Sequence, residues 1–187
     1  AGGWWDWLTW FSVLTGIALL VGYALLGATW LVWKTTGELQ QKASRFARLT
    51  GAGTLALIGL VSLIMPLLDP LFRDRWFTWP NIAFASPVPI LVAVAALLLF
   101  MGLSKGWERV PFLSAVMLFV LSYAGLGISF YPYILPPHLT IWDAAAPHSS
   151  LAFLLAGAVV LFPIILAYTA WSYWVFRGKV QPGAGYH

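Results

Sequence analysis

The chain has 187 residues, of which 61% are hydrophobic and 9% charged, with a mean hydropathy of +0.85 and a formal net charge of +4. A water-soluble domain of this size needs far more polar surface, so the composition excludes one. Cysteine is absent, which excludes disulfides, thiolate metal sites and iron–sulfur clusters.

Five apolar stretches run over about residues 8–33, 50–68, 87–103, 112–131 and 149–176, and no Lys, Arg, Asp or Glu falls inside them. A hydrocarbon core about 30 Å thick requires about 20 apolar residues per helix. The chain is therefore expected to be an all-α integral membrane protein, one domain of five transmembrane helices. Strands of a membrane barrel alternate in polarity, and runs such as ILVAVAALLLF do not.

The first stretch carries Gly16, Gly22 and Gly27 among bulky residues, a pattern of close helix approach. Trp4, Trp5, Trp7 and Trp10 at one end and Trp30 and Trp33 at the other match two interfacial aromatic belts. The basic segment KTTGELQQKASRFARL reads as helix continuing past the membrane, with Lys and Arg reaching the headgroups. A short amphipathic surface helix is the other reading.

The second stretch is expected to end at Met65-Pro66, where proline weakens the helix end. The loop Asp69–Ser86, with Phe72, Trp76, Phe77 and Trp79, suits a segment lying in the interface, where Asp69, Arg73, Asp74 and Arg75 pair locally. The turn SKGWER joins the third and fourth stretches. Pro132, Pro136 and Pro137 then stop the fourth firmly. In the next loop, Thr140 and Asp143 form a capping-box-like T-x-x-D, expected to open a helix that bends at Pro147. Pro163 should kink the fifth stretch.

Basic residues cluster in three places: Lys34, Lys42, Arg45 and Arg48; Lys105 and Arg109; Arg177 and Lys179. Only Arg73 and Arg75 fall on the other side. The positive-inside rule puts the N-terminus outside and the C-terminus in the cytoplasm, as an odd number of spans requires. The positive charge is thus topological, and no nucleic-acid partner is expected. The opening AGGWWDW lacks an initiating Met and a basic leader, which reads as part of a longer protein.

The spans hold none of the ionisable groups that a proton relay or ion path requires. Met65, Met101 and Met117 read as packing residues rather than haem ligands. His138 and His148 flank Asp143 at no recognised metal spacing, and His187 ends the chain. No catalytic residue and no metal site is expected. A component of a membrane transporter or channel is the alternative from another class, favoured by little beyond Pro163.

The strings GYALLGATWLVWKTTGELQ, RWFTWPN and TIWDAAAPHSSLAFLLAGAVVLFPIILAYTAWSYWVFRGKV resemble subunit II of cytochrome bd-type quinol oxidases, most closely the cyanide-insensitive branch. The resemblance implies an eight-helix subunit of which these five spans are the fourth to eighth, in a bacterial inner membrane. It implies a heterodimer whose haem-bearing subunit I holds haem b, haem d and the quinol site, with the remaining N-terminal helices of subunit II and a small single-span subunit as further partners. It implies quinol oxidation and reduction of O₂ to water by the whole complex, with subunit II as non-haem scaffold. Some members hold a structural quinone there, and Trp30, Trp171 and Trp174 are candidates to line its groove. The family's acidic proton-path residues lie in a W-D-G-N-E-T-W-like motif that these residues lack, so none is carried over.

Overall fold

The computed structural model describes residues 3–68 and 70–179. Its elements are α1 (Trp10–Lys34), α2 (Gly37–Leu68), α3 (Pro70–Phe77), α4 (Asn81–Ala85), α5 (Pro87–Lys105), α6 (Val110–Phe130), β1 (Tyr133–Leu135), β2 (Leu139–Thr140) and α7 (His148–Val175). Among the described residues, five helical segments are long and apolar enough to cross a membrane, with α4 and α5 forming one of them. Two compact units result: one runs through Ser129, the other from Phe130 to Lys179.

In the first unit, α1, α2, α5 and α6 share a core of Leu25, Ala28, Val32, Ala43, Ala47, Ala95, Leu99, Leu103, Ala115, Leu118 and Leu121. Small residues dominate the α2 contribution: Ala43, Ala47, Thr50, Gly51 and Thr54 are buried along one face. Helices in lipid gain nothing from excluding water between them, so close backbone approach must supply the contact. At Gly51 an added Cβ would lie 3.1 Å from Leu99 Cδ2 and 3.6 Å from Leu25 Cδ1. At Gly22 it would meet the Phe119 ring at 2.8 Å.

Buried hydroxyls are satisfied within their own helices. Thr29 donates to the Leu25 carbonyl (2.8 Å), Thr50 to Phe46 (2.9 Å) and Thr54 to Thr50 (2.8 Å). This is the arrangement that a medium without water demands. A capping box starts α1: Ser12 N–H donates to Thr9 Oγ1 at 3.1 Å, and Thr9 N–H donates to Ser12 Oγ at 3.0 Å.

Several boundaries differ from the expectation. The basic segment after the first span is helical, but it belongs to α2 and not to a prolonged α1. Thr35 is extended and its hydroxyl closes the Leu31 carbonyl at 2.7 Å, while Gly37 takes φ +68° to start the new helix. Gln40 reaches back to the Val32 carbonyl at 2.9 Å, completing that end of α1. The second span is thereby 32 residues long. Pro66 does not end it: α2 continues to Leu68, although Pro66 cannot donate to the Ser62 carbonyl.

The interfacial loop folds into α3 and α4. Phe72 is buried, Trp76 Nε1 donates to Ser129 Oγ on α6 at 2.8 Å, and Phe77 and Trp79 are exposed. Arg73 and Asp74 form an exposed pair at 3.9 Å, while Asp69 lies outside the described residues. Gly106 closes α5 in the left-handed region at φ +72°.

In the second unit, α6 stops at Phe130 and the proline-rich segment makes a short antiparallel hairpin, β1–β2, that the sequence reading did not anticipate. The Thr140–Asp143 motif forms its capping hydrogen bonds but opens no helix. It closes a turn, and α7 begins at His148 with Pro147 as its N-cap. α7 runs through Pro163 without interruption and buries none of its residues within this chain.

The Gly51 contact yields a direct test. Gly51→Leu should lower thermal stability in detergent by about 1–3 kcal/mol through overpacking. Gly59→Leu, with nothing within 4 Å of its Cβ position, should leave it unchanged.

Candidate functional site

The functional groups of the first unit gather at one end, where α1 and α5 finish and α6 begins. Arg48 of α2 donates from Nη2 to the Leu103 carbonyl of α5 at 2.9 Å, a cation on a helix C-terminus. Lys34 Nζ sits 5.0 Å from the Trp30 ring centre and 5.3 Å from that of Trp33. Arg109 Cζ lies 6.0 Å from the same Trp33 ring, so α1 and α6 meet through cations stacked on one indole. Phe112 packs on both indoles, 5.1 Å from Trp30 and 5.6 Å from Trp33. Lys105 lies over Trp107 at 5.3 Å. Each such contact is worth about 0.5–1 kcal/mol at an exposed site. Lys42 pairs with Glu38 at 2.7 Å on the adjoining stretch of α2. The end of α1 and its C-cap, Trp30–Thr35, therefore carry an aromatic belt, a cation and a cap in succession.

Of the three tryptophans proposed for a quinone groove, Trp30 is half-buried within this basic–aromatic cluster. Trp171 and Trp174 lie on α7 with ring centres 5.3 Å apart, both mostly exposed, and Arg177 stacks on Trp174 at 4.6 Å. Arg177 also donates to the Trp174 carbonyl at 3.0 Å. Trp171 and Trp174 thus form one cluster and Trp30 belongs to another, in the other unit.

The hairpin holds the remaining polar candidates. Thr140 donates from its hydroxyl to Asp143 Oδ2 at 2.6 Å and from its backbone N–H at 3.2 Å, and Asp143 N–H donates back to Thr140 Oγ1 at 3.3 Å. The side-chain bond first, and then the backbone bond, hold the Asp143 carboxyl below its ordinary range. Trp142 packs edge-on to Tyr131 at 6.0 Å. His138 caps the hairpin turn through its backbone, donating to the Leu135 carbonyl at 2.9 Å, and His148 is the exposed first residue of α7. His187 lies outside the described residues.

Among the described residues no three His, Cys, Asp or Glu side chains come together as a metal site. A haem does not fit this chain's residues either. Met65 is half-buried and Met101 and Met117 are exposed on separate helices; His138 lies outside the spans and His148 is the first residue of the last one, at its end rather than its middle.

Residues 1–176 match the family described as cytochrome bd terminal oxidase subunit II. The chain belongs to that family. It is 26% identical over 183 residues to cytochrome bd-I ubiquinol oxidase subunit 2 of Escherichia coli K12, an alignment covering 82% of this chain and 48% of that protein. It is 28% identical over 191 residues to a probable cytochrome oxidase subunit 2 of Haemophilus influenzae, covering 83% and 48%. The chain therefore spans about half the length of these curated relatives. The family assignment makes it a bd-type oxidase subunit, and its helices make it a multi-pass membrane protein.

The basic–aromatic end was legible only as separate residues. Trp30, Trp33, Lys34 and Arg109 each appeared in the sequence as belt or topology signals. Their stacking on one another depends on α1 and α6 being antiparallel neighbours, which no local pattern encodes.

Asp143 supplies a pH test. A carboxylate with a depressed pKa stabilises its turn above the ordinary carboxylate range, and that contribution disappears as pH falls through the lowered value. Protection of the Thr140 and Asp143 amides, measured as exchange relative to the intrinsic rate at each pH, should therefore be high at neutral pH and fall in acid. In Asp143→Asn this pH dependence should vanish.

Proposed function

We propose that this chain is the C-terminal portion of subunit II of a bd-type quinol oxidase, corresponding to the fourth to eighth helices, in a bacterial inner membrane. The observation that carries the proposal is the family match, continuous over residues 1–176. The assembled enzyme oxidises quinol and reduces O₂ to water. Its haem b and haem d belong to subunit I, consistent with the poor fit of a haem to the residues here.

This chain acts as scaffold. Its wholly unburied α7 and the apolar outer faces of α1 and α6 offer surface to subunit I, to the remaining helices of subunit II and to lipid. Trp30, or the Trp171–Trp174 pair, borders the groove for a quinone tail; the two clusters are alternatives within this reading. The N-terminus faces outward and the C-terminus the cytoplasm. Supporting this orientation, Lys34 and Arg109 share the Trp33 ring, Arg48 donates to the Leu103 carbonyl and Lys105 lies over Trp107, all at the ends that the positive-inside rule assigns to the cytoplasm.

The test is purification in mild detergent through a tag on this chain, followed by a reduced-minus-oxidised visible spectrum. Bands of b- and d-type haem, co-eluting with a larger membrane subunit, are expected. A colourless eluate from a fully assembled sample would refute the reading.

A further inference from the structure

Among the five spans, α7 alone buries none of its residues within this chain. Its side chains are nevertheless sorted by size. Ala156, Pro163, Ala167 and Ala170 follow i, i+7, i+11, i+14 spacing, so they share one side of the helix. Leu154, Leu161, Ile165 and Tyr168 lie on the other side. The side with the small residues also carries a backbone acceptor that lacks its usual donor. Pro163 stands mid-span and has no N–H, so the Val159 carbonyl one turn earlier receives no hydrogen bond from it. Outside the membrane water would supply a donor; at this depth only protein does.

We propose that this side of α7 docks a transmembrane helix from the part of the subunit outside these 187 residues, and that a hydroxyl or amide side chain on that helix donates to the Val159 carbonyl. The backbone acceptor argues for protein over lipid, because an acyl chain has nothing to donate. The alanines argue for a helix, because they let a second backbone come close enough for such a bond. The length of the relatives argues for its source. The curated relatives are about twice as long as the portion matched here, and α1, α2, α5 and α6 already share one core with each other. A helix of the same polypeptide is present one-to-one with α7 and at high effective concentration. The inference rests on the reading of this chain as part of subunit II, and it assigns this side of α7 to contacts within that subunit.

The test is photo-crosslinking in the whole tagged complex, with a benzophenone residue in place of Val160, beside the alanines, or of Ile165, opposite them. The probe at Val160 is expected to capture a peptide of the same subunit that lies outside residues 1–187, and the probe at Ile165 to miss that peptide. Ala156→Leu with Ala167→Leu should abolish the Val160 adduct, whereas Ala158→Leu, on the far side, should leave it unchanged. Replacing the captured donor by Ala should lower the melting temperature of the complex less in Pro163→Ala, which returns an N–H to the Val159 carbonyl, than in the unchanged chain. Haem bands together with a Val160 adduct to lipid or to subunit I alone overturn the docking and leave the oxidase reading standing. An undiminished adduct in the double Leu variant overturns it too; where that variant does not assemble, the Val160 and Ile165 adducts decide. Equal melting shifts in the two backgrounds overturn the hydrogen bond to Val159. Absent haem bands overturn the oxidase reading and this inference with it.

Discussion

The first unit depends on how closely α2 approaches α5 and α1. Its contact face is built from Ala43, Ala47, Gly51 and Thr54, against Leu99 and Leu25, which are both fully buried. A soluble bundle would place large aliphatic groups here and gain from removing them from water. In lipid that gain is absent, and attraction comes from dispersion between surfaces that fit. The gap at Gly51, where an added Cβ would stand 3.1 Å from Leu99, shows that the fit has no slack. The buried threonines serve the same approach: each hydroxyl is spent on its own helix, so it leaves no unsatisfied group, and the side chain occupies no more volume than valine.

Once those helices are close, their ends are forced together, and the charges have to be arranged within one headgroup layer. The solutions differ by residue. Arg48 is committed to a helix carbonyl, Lys42 to a carboxylate, and Lys34 and Arg109 to the faces of tryptophans. An indole face attracts a cation without desolvating it fully. The aromatic belt and the positive-inside signal are, at this corner, one physical structure and not two.

The extent to which this was legible in the sequence follows from how far each signal reaches. Hydropathy over a 20-residue window is local and strong, and it located all five spans to within a few residues, apart from the start of α2. That start was missed because its first turns, Gly37–Arg48, are polar and carry no hydropathy signal. Thr35 and Gly37 were the available marks of the break. The T-x-x-D reading failed for a different reason. Thr140 and Asp143 do make the reciprocal bonds, but Pro147 and the preceding hairpin leave no room for a helix to follow. Side-chain chemistry was predicted correctly and its structural consequence was not. The Trp30 cluster required knowledge of which helices are neighbours, and only the fold contains that.

α7 shows why exposure has to be interpreted against the solvent. Within this chain none of its residues is buried, and Phe153, Leu154, Leu166 and Tyr168 are among its most exposed side chains. In water such a surface would mark an interface outright. In a bilayer it is equally at home in acyl chains, so hydrophobicity alone does not distinguish lipid from protein neighbours. The discriminating feature is polar: Pro163 cannot donate to the Val159 carbonyl in the middle of the span. Lipid offers that carbonyl no donor, whereas a neighbouring helix does. The middle of α7, more than its aromatic ends, is therefore where a packed protein partner has most to contribute.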